Sequence, residues 1–320
     1  MKNIFIRTFL IILVLFSFNI KAEEYPSKPI KILVPFQIGS VTDIIARLVA
    51  NSLSFKLKQA VIIENKTGAG GIIAGVTLLN SSPDGYTLGL LVAGNSIQTW
   101  VVKDMPFDIR KDFLPITEIY SGYSVLLVSD NFPSRTLNDF INYTKEHPGK
   151  TFFGSSGTAT TTHLAGELLK DYSKIEITHV PFKGSSEVVN AILNGSIQTY
   201  FDLYGTSKSL IQSGKVRPIA VTSPKRMPEL PNVPSLAETY PGFEIAARVG
   251  LAAPKGTSKE ILSILVSETR NILQSPDVRK TILALGVEPG GTSPDEYLKS
   301  IISDTEKWGK AVKVADIKIE

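Results

Sequence analysis

The chain has 320 residues, 43% of them hydrophobic and 20% charged, with a formal net charge of +4 and no cysteine. That length is large for one core and comfortable for two domains. The lack of cysteine excludes disulfides, thiolate metal sites, a cysteine nucleophile and a cysteine-linked lipid anchor.

Lys2 and Arg7 precede an apolar run from Phe9 to Phe16, and Ile20-Lys21-Ala22 ends on a small residue. This pattern predicts a secretory signal peptide over residues 1–22, cleaved after Ala22. The run is well short of the roughly 20 residues that cross a bilayer, so a retained anchor is the weaker reading. Lys2, Arg7 and Lys21 leave with the leader, and the 298 residues that remain carry a net charge of only +1. Near-neutrality argues against nucleic acid or an anionic membrane as partner. An exported chain without disulfides must rest on an ordinary hydrophobic core.

Ile30–Val34 reads as a buried strand that runs through the small, polar turn Gln37-Ile38-Gly39-Ser40 into a helix over 42–57. The first N–H groups of a helix lack internal partners and point outward at its positive end, so such a joint is an anion cradle. Residues 61–64, a helix over Ile72–Leu79 and Thr87–Val92 complete a βαβαβ rhythm, the mark of a parallel sheet covered by helices. Gly68-Ala69-Gly70-Gly71 lacks the spacing of a nucleotide-binding loop and reads as a tight turn.

A loop-like middle follows, and the rhythm resumes with a strand at 125–128, a helix over Leu137–Glu146 and a strand at 151–154. A second cradle, Gly154-Ser155-Ser156-Gly157-Thr158-Ala159-Thr160, leads into a helix over 161–170. It does not have the Gly-x-Ser-x-Gly spacing of a hydrolase elbow. Strands at 177–180, 199–202 and 216–222 alternate with a helix over 186–193. The proline-rich segment from Met227 to Pro234 reads as an ordered connector, with Ser235 capping a short helix behind it. Helices over 258–274, 276–285 and 294–314 end the chain, with no strand expected after them, and fold back over the first half. The chain is expected to cross between halves near 120–126 and 245–252.

Taken in order, several strings form a specific set: Tyr25-Pro26-Ser27-Lys28-Pro29, Val34-Pro35-Phe36, Thr42-Asp43, Gly68-Ala69-Gly70-Gly71 and Pro83-Asp84-Gly85-Tyr86-Thr87. Then come Ser155-Ser156-Gly157, His163-Leu164-Ala165-Gly166-Glu167, His179-Val180-Pro181-Phe182-Lys183-Gly184, Phe201-Asp202, Ala253-Pro254-Lys255-Gly256-Thr257 and Lys307-Trp308-Gly309-Lys310. Across essentially the whole mature chain this resembles the Bug (TctC-like) substrate-binding proteins of tripartite tricarboxylate transporters. The resemblance implies an α/β, two-lobed periplasmic binding protein of type II, each lobe a sheet flanked by helices, with the ligand cleft between lobes. It implies a discontinuous first lobe of residues 23–125 plus 249–320 and a second lobe of 126–248. The implied role is a monomeric periplasmic receptor, without cofactor, metal or catalysis, that passes a small carboxylate ligand to two integral membrane transporter subunits.

In that family the ligand carboxylate is held by the loop after the first strand and by the Ser-Ser-Gly loop. Here those positions are Gln37, Gly39, Ser40 and Asp43, and Ser155, Ser156, Gly157, Thr158 and Thr160; His163 and Asp202 complete the candidate set. The family's first loop is commonly Pro-Phe-Pro-Pro-Gly-Gly-Gly-Thr-Asp, so Gln37, Ile38, Ser40 and Val41 depart from it, and Leu203 stands where Asn is common. Val41 tolerates fewer backbone conformations than Gly, which predicts a stiffer loop.

Each candidate has a structural alternative. Asp43 reads first as a carboxylate serving the helix dipole, and His163 as a packed structural histidine. The Ser and Thr hydroxyls suit a helix cap as well as an anion. Asp202 ends a strand where α/β sheets place their sites. Arg248 reads as a surface residue on a crossing strand, with bidentate pairing to a second carboxylate as the alternative. Two other functions stay open: a sensory receptor serving a signalling kinase, and a secreted hydrolase or lyase with His163 beside the Ser-rich loop.

Overall fold

Both faces of Ile30–Val34 (β1) are buried, through Ile30, Ile32 and Val34 on one side and Leu33 on the other, as a strand covered by helices on two sides requires. The computed structural model describes residues 25–314, and the expected signal peptide lies outside them. β1 pairs in parallel with β2 (Val61–Asn65) and β3 (Thr87–Val92). β9 (Ala246–Pro254) adds antiparallel to β3, and β4 (Phe113–Ser129) adds antiparallel to β9.

A second set builds on the far part of β4. There β5 (Thr151–Ser155) lies parallel between β6 (Ile177–Pro181) and β7 (Thr199–Leu203). β7 and β8 (Val216–Val221) flank β4 antiparallel on its two sides. Residues 113–123 of β4 thus pair with β9, and residues 124–129 with β7 and β8. One strand serves both sets, close to the expected crossing at 120–126.

The helices follow the strands: α1 (Val41–Leu57), α2 (Ile72–Leu79), α3 (Ala93–Val101), α4 (Leu137–Glu146), α5 (Thr161–Ser173), α6 (Ser185–Leu193) and α7 (Tyr204–Gln212). Then come α8 (Leu236–Thr239), α9 (Lys259–Gln274), α10 (Pro276–Ala284) and α11 (Pro294–Val314). Ser235 caps α8 as expected, its Oγ accepting from the Ala237 amide at 3.1 Å. Leu265, Ile272 and Leu273 of α9 and Val278 and Ile282 of α10 share a core with Ile45, Val49 and Leu53 of α1, so the end of the chain does fold back. α11 reaches further: Tyr297 and Ile301 pack with Leu33 and Phe113, whereas Trp308 and Val312 pack with Leu126 and Phe140 of the second core.

Two expectations need correction. The loop-like middle is α3 and the long β4. Helix α3 hides from a hydrophobicity pattern because its buried face is polar: Asn95, Ser96 and Gln98 are all buried. Their groups are satisfied locally, with Asn95 Nδ2 donating to Gln98 Oε1 at 3.0 Å and Gln98 Nε2 donating to the Ala69 and Gly70 carbonyls at 3.1 Å. β4 contains Pro115 and Gly122, two residues that usually punctuate strands, and it accommodates irregular register between Pro115 and Thr117 and between Glu118 and Tyr120. The second correction is β10 (Glu288–Pro289), a two-residue strand after α10 that pairs with β4 at Tyr120 and Ser121.

Candidate functional site

Five strand-to-helix joints converge on one cleft. β1 runs into α1, β3 into α3, β5 into α5, β6 into α6 and β7 into α7. The residue before each helix lines the cleft: Ser40, Val92, Thr160, Gly184 and Leu203. The cleft therefore lies at the carboxyl ends of the parallel strands, where open α/β sheets place their ligands. Each helix start carries roughly half a positive charge, so five of them create a field that suits an anion. Ser40 and Thr160 cap their own helices, accepting from the Asp43 and His163 amides. Val92, Gly184 and Leu203 offer no side-chain acceptor of their own, although Asn95 Oδ1 accepts from the Val92 amide at 3.1 Å at the start of α3.

The cleft has an interior of about 120 Å³. That is somewhat below the roughly 150 Å³ of an engineered cavity that takes up benzene, so the cleft suits a small ligand. Phe36, Val41, Leu203 and Val249 supply apolar wall, and Thr42 and Tyr120 share a 2.6 Å hydrogen bond in it. Asp202 and Arg248 are the only charged side chains among its lining residues.

The structure brings six of the sequence candidates to this cleft: Gln37, Gly39, Ser40, Ser156, Thr160 and Asp202. Asp43, Ser155, Gly157, Thr158 and His163 are not among its lining residues, and the buried Asp43, Ser155 and His163 brace the two loops. Asp43 is only 1% exposed and ties the first loop together. It accepts from the Gly39 amide at 3.0 Å, from Arg47 Nε at 3.0 Å and Nη2 at 2.9 Å, and from Asn65 Nδ2 at 2.8 Å. Burial pushes its pKa up, but these donors outweigh burial and hold the carboxyl below its ordinary value.

The second loop rests on two histidines. Ser155 Oγ donates to the Gly157 carbonyl at 3.0 Å and lies 2.6 Å from His179 Nε2. With the hydroxyl hydrogen committed to that carbonyl, His179 Nε2 is the donor. Ser155 is fully buried as well, so this pair is the reverse of a nucleophile beside its base. His163 Nδ1 accepts from the Ala159 amide at 3.2 Å, and its ring stacks on His179 with centroids 3.8 Å apart. Ser156 and Thr160 are tied in through Thr162 Oγ1, at 3.1 and 2.9 Å.

Asp202 is 2% exposed, and its Oδ2 has no hydrogen-bond partner. Burial raises its pKa to about 7 against the opposing influence of the nearby Tyr200 hydroxyl, Leu203 amide and Ser207 hydroxyl. Arg248 donates to Glu118 Oε2 at 3.2 Å through Nη1, and its Nε lies 3.1 Å from Asp304 Oδ2. Among the described residues no cluster of His, Cys, Asp or Glu could hold a metal ion, and no helix is long and apolar enough to cross a membrane.

Sequence reasoning missed the joints at Val92, Gly184 and Leu203, together with Tyr120 and Ser124. The first was hidden with α3. The third was hidden with α7, since no helix was expected after the strand at 199–202; the joint at Gly184 repeats the strand-then-helix order that marked the first two cradles, and there that order was a sufficient signal.

A family model described as the tripartite tricarboxylate transporter family receptor matches residues 45–317. The Bordetella pertussis protein BugT is 30% identical over 308 residues, 94% of this chain and 93% of its own length. An R. palustris protein solved with adipate superposes with a TM-score of 0.88 at 33% identity, covering 92% of this chain and 99% of that one. MatC from Rhodopseudomonas palustris, solved with bound malate, gives 0.85 at 27% identity, covering 90% and 100%.

Proposed function

The chain belongs to the tripartite tricarboxylate transporter receptor family, and from that premise we propose that it is a periplasmic receptor for a small organic carboxylate. It captures the ligand between two lobes that close about β4 and β9, and it delivers the ligand to a pair of integral membrane subunits. The family is one of solute-binding receptors rather than enzymes, and its fold is that of their periplasmic binding proteins.

One observation carries the reading: five helix starts face a single cleft that contains no cation free of partners. Backbone dipoles, rather than lysine or arginine, supply the positive field for a carboxylate. In the lobe division favoured here, residues up to 125 and from 249 form one lobe, and 126–248 the other. Ligand bridging stabilises the closed state because only the closed arrangement joins α1 and α3 to α5, α6 and α7 around it. The halves already touch at Gly70, which faces the Thr158 carbonyl, and at Gly184, which faces the Gln37 side chain.

A thermal-shift screen of mono-, di- and tricarboxylates, acidic amino acids and aromatic acids tests the proposal. A ligand at about 100 times its dissociation constant adds roughly 2.7 kcal/mol, a plain rise in Tm. A flat response across the whole panel would remove the carboxylate reading.

A further inference from the structure

Three glycines meet at the flank of the cleft, one from each half of the molecule and one from the strand that runs between them. Gly205 lies in the first turn of α7, beside Leu203 and Thr206 of the cleft wall. Gly286 follows α10, and Gly122 sits on β4 where that strand crosses between the halves. A Cβ built on Gly205 would overlap the Leu285 carbonyl. One built on Gly286 would lie 2.6 Å from the Gly205 nitrogen and 2.7 Å from its Cα. A Cβ on Gly122 would lie 2.8 Å from Val287 Cγ1 and 3.4 Å from Leu203 Cδ2. Between Gly205 and Gly286 backbone therefore rests on backbone, with no side chain between.

Local geometry does not call for glycine at two of the three. Gly286 has a φ of +71°, which favours glycine, but Gly122 and Gly205 do not have positive φ. Ala is the better helix former by up to about 1 kcal/mol, and glycine weakens a strand interior. The turn at Leu285 and Gly286 is held on both sides. The Leu285 amide donates to the Thr281 and Ile282 carbonyls at 3.2 and 3.1 Å, and Glu288 and Pro289 pair with β4. A methyl group at 205 is thus relieved by moving α7, with the lobe that carries it, away from the turn.

We infer that Gly122, Gly205 and Gly286 form the closure stop of the receptor: the lobes shut as far as they do because no side chain stands between them here. The inference rests on the two-lobed receptor reading and adds residues that set its affinity without touching the ligand. The obstruction in Gly205→Ala acts on closure rather than on a ligand contact. It therefore lowers the affinity for every acid by one common factor, the loss of the closed population.

The chain has no cysteine, so an introduced pair reports closure without any ligand. Gln37 Cγ lies 3.8 Å from the position of a Cβ at Gly184, so Gln37→Cys with Gly184→Cys puts two sulfurs within bridging reach on opposite halves. In that double variant the disulfide should form readily, and adding Gly205→Ala should slow it about tenfold or more. Gly122→Ala, whose methyl meets only side chains, should slow it less. Without the cysteine pair, calorimetry with succinate, adipate, citrate, glutamate and benzoate gives the second readout. Each acid that binds the native protein should lose affinity by the same factor in Gly205→Ala, about fivefold or more.

Unchanged bridging in Gly205→Ala, or losses that differ from acid to acid, overturns the inference and leaves the receptor reading standing. Should Gly205→Ala fail to fold, Gly122→Ala decides: slower bridging sustains the stop and an unchanged rate overturns it. If none of the five acids binds the native protein, the carboxylate reading falls and the bridging rates still decide the closure stop. A cysteine pair that never bridges in the native background shows halves that do not close, and overturns the inference together with the closure it rests on.

Discussion

His163 and His179 lie face to face with their ring centroids 3.8 Å apart, and together they support the Ser155–Thr160 loop from beneath. His179 donates to Ser155 Oγ, and His163 accepts from the Ala159 amide, so each ring fixes one end of the loop. Burial depresses both, His163 to about 3 with help from His179 and Lys170, and His179 to about 4 with help from Lys170. The stack is built for two neutral rings; two imidazolium ions at that distance would repel one another.

This geometry sets a pH dependence. Unfolded histidine titrates near 6.5, so below that value the unfolded chain binds protons that the native pair refuses. The stabilisation from neutral rings is complete above about pH 6.5 and is lost as pH falls toward the folded values. Each ring contributes a slope of up to about 1.4 kcal/mol per pH unit in that window. Urea unfolding at about pH 7.5, 6 and 5 should show the midpoint falling, and falling less steeply in His163→Asn. Identical slopes for the two proteins would exclude the pair as the source.

Asp202 acts with the opposite sign. Its folded pKa of about 7 exceeds the ordinary 3.8, so the native state holds a proton that the unfolded chain releases. That contribution is fully present below the unfolded value and is lost as pH rises through about 7. Asp202→Asn should be more stable than wild type at about pH 8, by about 1–3 kcal/mol, and the advantage should vanish toward pH 4. A constant difference across the range would mean that charge is not the cause.

Periodicity and turn chemistry made most of the architecture legible: the strand Ile30–Val34, the helices at 137–146 and 161–170, and the cap at Ser235 could be drawn from residue order alone. What stayed hidden was hidden for physical reasons. α3 buries Asn95 and Gln98, whose amides bond to one another and to backbone, so its core face looks like a loop. β4 carries Pro115 and Gly122 inside a buried strand. In the site, Ser40 and Thr160 announce themselves by side chain, whereas Val92, Gly184 and Leu203 contribute through backbone position, which composition does not encode. The division of labour inside each loop also needed distances: Ser156 faces the cleft while Ser155, one residue earlier, is bound to His179.

Asp43 offers a test of the first loop. Its carboxylate receives bonds from Gly39, Arg47 and Asn65, and removal leaves Asn65 Nδ2 and the Gly39 amide short of an acceptor. Arg47 is 44% exposed at its side chain, so water recovers part of that loss. Asp43→Ala should cost about 1–3 kcal/mol in chemical denaturation, whereas Asp43→Asn should recover a fraction of it through its remaining oxygen. Equal losses for both would point to the charge alone; no loss would show that the loop does not depend on this carboxylate.

Arg248 distinguishes a structural cation from a ligand-binding one. It sits on β9 where the strand pairs with β4, and its partners come from β4 and α11, so it joins three elements. Burial raises the pKa of Asp304, which Arg248 and Lys307 oppose, and removing the guanidinium takes away the cation that Asp304 and Glu118 share. Arg248→Met keeps much of the side-chain volume and removes the charge. With the arginine 30% exposed, a loss of about 1–3 kcal/mol near pH 8 is expected, below the value for a fully buried pair. The loss should shrink as pH falls, because protonation of Asp304, whose pKa burial raises, relieves the repulsion. A loss of equal size at every pH would assign Arg248 a packing role through its aliphatic stem. Unchanged stability combined with lost acid binding would make it a ligand contact instead.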